Sequence, residues 1–184
     1  MFGDKADILR DTAGNDTITP NGGADTIYMA TGTDTIKYAL RTDGGAVSSL
    51  SGFDVIPASQ FTAGTDIISF DSSALINNNN GNFAITVFET SSAADTNTTD
   101  NMGIFVLETM TIADGLTAAA TAIGTRLTNE AANDAFIIVT DDGTDTYVIA
   151  WDDRSANGGD GGGDVDANEL WVLLKITGVA DAHG

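Results

Sequence analysis

Four aspartates near the start of the chain stand nine residues apart: Asp7, Asp16, Asp25 and Asp34. The last three sit in near-identical surroundings, Gly14-Asn15-Asp16-Thr17-Ile18, Gly23-Ala24-Asp25-Thr26-Ile27 and Gly32-Thr33-Asp34-Thr35-Ile36. The first belongs to a weaker copy, in which Lys5 takes the glycine place and Leu9 the isoleucine place. A carboxylate that returns at a fixed interval beside a glycine suits a hard divalent cation: the glycine lets the backbone turn tightly and the acid offers oxygen. The large apolar residue two places on anchors a short strand.

The nine-residue rhythm is similar to the calcium-binding nonapeptide of the RTX family of Gram-negative secreted proteins, G-G-x-G-x-D-x-U-x with U large and apolar. The resemblance is tight over residues 7–70 and loose beyond. Asp11-Thr12, Pro20-Asn21 and Met29-Ala30 stand where the consensus has its first glycine pair. The resemblance implies a short parallel β-roll over residues 1–74, with successive nonapeptides on opposite sides. Residues eighteen apart would then stack as neighbouring rungs, about 4.8 Å apart. Asp7 would lie over Asp25, Asp16 over Asp34, Leu9 over Ile27 and Ile18 over Ile36. Stacked carboxylates at that distance repel unless a cation lies between them. The implied ligands are the carboxylates of Asp7, Asp16, Asp25 and Asp34 with the turn backbone at Gly14, Gly23, Gly32 and Asn21, and the implied ion is Ca²⁺. A metal-free Asp/Gly-rich solenoid is the other reading.

The stretch Gly52-Phe53-Asp54-Val55-Ile56, then Phe61, then Gly64-Thr65-Asp66-Ile67-Ile68-Ser69-Phe70, resembles the segment that closes such rolls. Phe53, Ile56, Phe61, Ile68 and Phe70 are the expected cap, and Asp54 and Asp66 the ligands of one further ion or turn-stabilising acids. Thr42 to Gly52 reads as a loop.

Residues 75–184 are expected to form a small antiparallel β sheet with one helix. Asp71 to Ala74 could start a short helix that Asn77 to Gly81 ends. Phe83 to Phe88 and Ile104 to Leu107 read as strands, with a polar loop over Ser91 to Asn101 between them. Leu116, Ala119, Ala120, Ile123 and Leu127 recur at helical spacing, with Thr111 or Asp114 to cap the start. Phe136 to Val139 and Tyr147 to Trp151 flank an Asp142-Gly143 hairpin turn. In Glu169 to Thr177, alternation places Leu170, Val172, Leu174 and Ile176 on one face and Trp171, Leu173 and Lys175 on the other. Between Trp151 and Leu170 lies a glycine-rich acidic loop. Asp153, Asp160, Asp164, Asp166 and Glu169 are candidate ligands there, because Asp164 to Leu170 resembles the second half of an EF-hand-type loop in broken register. An unliganded hairpin connection is the alternative.

Composition narrows the classes. The 184 residues carry 7 Lys plus Arg against 27 Asp plus Glu, a net charge of −20 that argues against nucleic acid or an anionic membrane as partner and for cations. With 42% hydrophobic residues the chain exceeds a disordered acidic tail. No cysteine is present, so disulfides and thiolate sites are excluded, and His183 as sole histidine excludes a histidine-built zinc site. Met1 to Arg10 carries Asp4, Lys5 and Asp7 in place of the apolar core of a cleavable export signal, and no run is long enough to span a membrane. Motifs of zinc proteases, serine hydrolases and phosphate loops are missing from the sequence, so it reads as a non-enzyme.

The expectation is a calcium-binding structural module of a secreted cell-surface or extracellular-matrix protein, of the S-layer or adhesin kind, in a Gram-negative-type bacterium. It would fold on calcium outside the cell and assemble with other copies. The alternative is the C-terminal export and folding module of a larger type I-secreted exoenzyme or toxin. A third class, a carbohydrate-binding module, needs Trp151 and Trp171 exposed beside the acidic loop.

Overall fold

The computed structural model describes residues 3–46, 49–71, 87–90, 104–107, 112, 115–126, 135–154 and 165–179. They form a mainly β protein with parallel and antiparallel parts and, among the described residues, one α-helix. The readings made for residues 72–86 and 91–101, the helix cap at Thr111 or Asp114, Leu127, and the candidate ligands Asp160 and Asp164 lie outside the described residues.

Six short strands come first: β1 (Ile8–Arg10), β2 (Thr17–Ile18), β3 (Thr26–Tyr28), β4 (Thr35–Tyr38), β5 (Asp54–Ile56) and β6 (Ile67–Phe70). They are dealt alternately to two sheets, β1, β3 and β5 to one and β2, β4 and β6 to the other. All the pairings among them are parallel. The eighteen-residue register is as expected, with Leu9 opposite Ile27 and Ile18 opposite Ile36. Period-two alternation turns these four apolar side chains inward, where each is buried, and leaves the β-branched threonines toward the outside.

The expected capping segment is itself a third rung. Thr26 pairs with Val55 and Thr35 with Ile67, so the chain has spent 29 and 32 residues on turns that took 18 in the rung before. Ile56 is fully buried between the sheets, with Phe61, Ile68 and Phe70 packed against the same core. Phe53 belongs elsewhere, edge-on to Tyr147.

The remaining strands are β7 (Val87–Thr90), β8 (Ile104–Leu107), β9 (Ala135–Asp141), β10 (Thr146–Asp152) and β11 (Leu170–Ile176), with α1 (Leu116–Arg126) between β8 and β9. They do not make a separate sheet. β11 pairs in parallel with β5, which fuses them with the first three rungs into one eight-stranded sheet, β1-β3-β5-β11-β10-β9-β8-β7. Only β9-β10 and β10-β11 are antiparallel, while β8 runs parallel to both β7 and β9. A parallel neighbour needs a crossover connection, and α1 lies in the one between β8 and β9.

The large sheet is covered on both faces. Leu116, Ala119, Ala120 and Ile123 of α1 pack on one side against Phe136, Ile138, Ile149 and Trp151; alanine on the helix allows the close approach. On the other side Trp171, Leu173, Leu174 and Ile176 join the inward ladder of the rungs. This corrects the expected faces of β11. Val148 pairs with Leu174 but Ile149 with Val172, so Leu173 is an extra residue that reverses the alternation midway. Beside the bulge the buried Gly45 N–H donates to the Val172 carbonyl at 2.9 Å. A Cβ on Gly44 would stand 2.4 Å from Leu173 Cα.

Candidate metal centre

The repeat glycines act at two levels. Gly14, Gly23 and Gly32 have φ of 128°, 130° and 157°, which favour glycine. Stacking adds a second demand: a Cβ on Gly32 would fall 1.8 Å from the Gly14 carbonyl oxygen, and one on Gly23 2.5 Å from that of Lys5. Each turn therefore lies directly under the turn eighteen residues before it.

That stacking gives the aspartates an unexpected first partner. Asp25 Oδ1 accepts the N–H of Asp7 at 2.8 Å, and Asp34 Oδ1 that of Asp16 at 2.9 Å. One rung on, Asp54 Oδ1 accepts from Asp25 at 2.9 Å and Asp66 Oδ1 from Asp34 at 3.1 Å. Repulsion between stacked acids is thus offset, on one oxygen of Asp25, Asp34, Asp54 and Asp66, by a backbone donor rather than by a cation.

The second oxygens divide the acids into two groups. Those of the third rung are engaged: Asp54 Oδ2 accepts from the buried Tyr38 hydroxyl at 2.8 Å, and Asp66 Oδ2 from Thr62 N–H at 2.7 Å. Asp34 Oδ2 and Asp25 Oδ2 are buried with no donor. So is Asp11 Oδ2, whose partner oxygen accepts the N–H of Ala30. Asp16 Oδ2 accepts from the backbone and hydroxyl of Thr12.

Asp11, Asp16 and Asp34 offer carboxylate oxygens all within 4.8 Å of one another, the one such acidic set among the described residues. Three negative groups cannot approach this closely in a partly buried turn without cost. Burial pushes the Asp11 carboxyl above its ordinary value, and the negative charges of Asp34 and Asp16 push the same way against the Ala30 hydrogen bond. Burial also raises Asp25, opposed by the hydrogen bond from Asp7 N–H, with the Asp7 charge a smaller push upward. Oxygen-only donors, orphaned lone pairs and mutual repulsion fit a divalent cation such as Ca²⁺.

Of the expected ligands, Asp16 and Asp34 enter this set. Asp7 and Asp25 stack on the opposite turn column; a separate recess is lined by Asp4, Asn21, Gly22, Gly23 and Asp43. Asp43 Oδ2 is committed to the N–H groups of Ala39 and Leu40. Asp11 was not foreseen: it occupies a consensus glycine place, and an acid there reads in sequence as a lost glycine.

The other acidic region has different geometry. Glu169 is fully buried, accepts the Trp151 indole N–H at 3.1 Å, and caps a short 3-10 turn through Asp166 N–H. Asp153 is buried and Asp166 exposed. Beside them Asp152 pairs with Arg154 and, through Oδ2, with Arg41. Trp151 and Trp171 are both buried, which removes the aromatic platform that the carbohydrate-binding reading needs.

Comparison of the chain with protein-family models, with curated proteins and with solved structures finds no match.

Proposed function

We propose that this chain is a calcium-stabilised structural module of a secreted cell-surface or extracellular-matrix protein, RTX-like in its repeats and without catalysis of its own. The observation that carries this reading is the Asp11, Asp16, Asp34 set, in which two buried carboxylate oxygens have no donor. Calcium joining three acids would convert their repulsion into folding free energy, because the unfolded chain holds no such site. Extracellular calcium modules bind at about 10⁻⁴ to 10⁻³ M, so the site would be empty in a cytosol and filled outside. The charge of −20 would keep copies apart until cations screen or bridge them, which suits calcium-driven assembly into a surface layer.

The test is thermal unfolding followed by circular dichroism in excess chelator and in millimolar calcium, with light scattering on the same samples. The reading expects a clear rise in melting temperature with calcium, absent with equal ionic strength of sodium, and calcium-dependent large assemblies. Equal melting in chelator and calcium would end it. A calcium-stabilised chain that stays monomeric would favour an export and folding module of a larger secreted protein.

A further inference from the structure

Three turns stack in one column, since Asp34 accepts the N–H of Asp16 and Asp66 that of Asp34. Their sequences are close: Thr12-Ala13-Gly14-Asn15-Asp16, Ala30-Thr31-Gly32-Thr33-Asp34 and Thr62-Ala63-Gly64-Thr65-Asp66. The glycine of each has a positive φ, 128°, 157° and 77° in turn. In the outer two, the acid closes its own turn from four residues back. Asp16 Oδ2 accepts the Thr12 N–H at 3.2 Å, and Asp66 Oδ2 the Thr62 N–H at 2.7 Å. Asp43 Oδ2 takes the Ala39 N–H in the same way at 2.8 Å, in the loop after β4.

The middle turn lacks this bond. Asp34 is fully buried and its Oδ2 has no donor. The amide in the matching place, Ala30 N–H, donates to Asp11 Oδ1 instead. Asp11 is kept beside it by its own N–H, which donates to the Tyr28 carbonyl at 3.2 Å. One N–H points well at one acceptor, so Asp11 and Asp34 compete for Ala30 and Asp11 has it. Asp25, in the other column, follows a turn of another form: Asn21, four residues before it, has a φ of 64°.

We propose that Asp11, beyond lending its own oxygen, is the positioning residue that makes this column require a cation. By taking the Ala30 N–H it withholds from Asp34 the backbone donor that closes the turns above and below, and so keeps a charged oxygen open in the buried set. With no acceptor side chain at position 11, the Ala30 N–H would pass to Asp34 Oδ2 and the middle turn would close as its neighbours do, without metal. The acid in the consensus glycine place is then what couples this column to the ion. This inference rests on the cation reading of the Asp11, Asp16, Asp34 set and adds the cause of the open oxygen on Asp34.

The experiment compares the full chain with Asp11→Ala and Asp11→Asn. Magnetic resonance of isotope-labelled protein in chelator reads which carboxyl carbon couples through a hydrogen bond to the Ala30 amide, and calcium titration calorimetry reads affinity. In the parent chain the coupling runs to residue 11. In Asp11→Ala it is expected to move to the Asp34 carboxyl, the metal-free melting temperature to stay equal or rise, and calcium affinity to fall roughly tenfold or more, as a charged ligand is lost and another is engaged. Asp11→Asn keeps an acceptor for Ala30 and a neutral oxygen for the ion; its coupling should stay at residue 11 and its affinity fall less. An Ala30 amide that in Asp11→Ala joins the backbone carbonyl at position 11, or solvent, overturns the proposal, as does calcium affinity equal in all three proteins. A parent chain that binds no calcium would end the cation reading, whereas the spectra in chelator test the hydrogen-bond exchange by themselves.

Discussion

At the scale of single residues, the acids sort by what holds their second oxygen. Asp54 is the furthest perturbed: burial pushes its carboxyl up to about 7, and the Tyr38 hydroxyl and Asp25 N–H only partly oppose this. The fold therefore prefers Asp54 protonated. Its contribution to stability is complete below the ordinary value of 3.8 and is lost as pH rises toward about 7. Asp11 and Asp25, raised in the same direction, add to the trend. In chelator, denaturant unfolding should show stability falling between pH 4 and pH 7, by roughly 4 kcal/mol at most from Asp54, and Asp54→Asn should flatten that slope. Asp34→Asn separates ligand from strut. Without metal it removes like charge and should leave the melting temperature equal or higher; in calcium it should lose most of the metal-dependent rise. If instead it melts lower in chelator and keeps the calcium shift, Asp34 serves only the hydrogen-bond ladder.

At the scale of elements, the repeat was legible because two independent demands fall on the same glycines. Gly32→Ala meets both a positive φ and the Gly14 carbonyl, so it should cost about 1–3 kcal/mol more than Gly14→Ala, which meets only the first; urea unfolding of the two variants measures the difference. The third rung was harder to see. Asp54 and Asp66 lie 29 and 32 residues from their partners, so the period that reveals the first two rungs is broken by the longer turns. Alternation likewise misplaced half of β11, because a bulge leaves no mark in the unbroken apolar run from Leu170 to Leu174. Its visible trace is Gly44, whose missing side chain admits Leu173. Gly44→Ala should lower stability by roughly 1–3 kcal/mol in the same urea assay, and an effect near zero would show that the bulge can relax.

At the scale of the whole molecule, the eight-stranded sheet joins the repeat to the C-terminal strands through β5 and β11. Sequence reading divided the chain at residue 74, where the resemblance to a capped roll ends; strand order is a long-range property that the local pattern does not carry. Through this fusion, the cation binding proposed at the first turns would also stabilise the rest, since Ile27, Ile36 and Trp171 share one core. The direct measurement of the central claim is an anomalous difference map from crystals grown in calcium and soaked with terbium. The account predicts a strong peak about 2.3–2.6 Å from oxygens of Asp11, Asp16 and Asp34. A map without a peak there, with the three carboxylates turned apart, would contradict it.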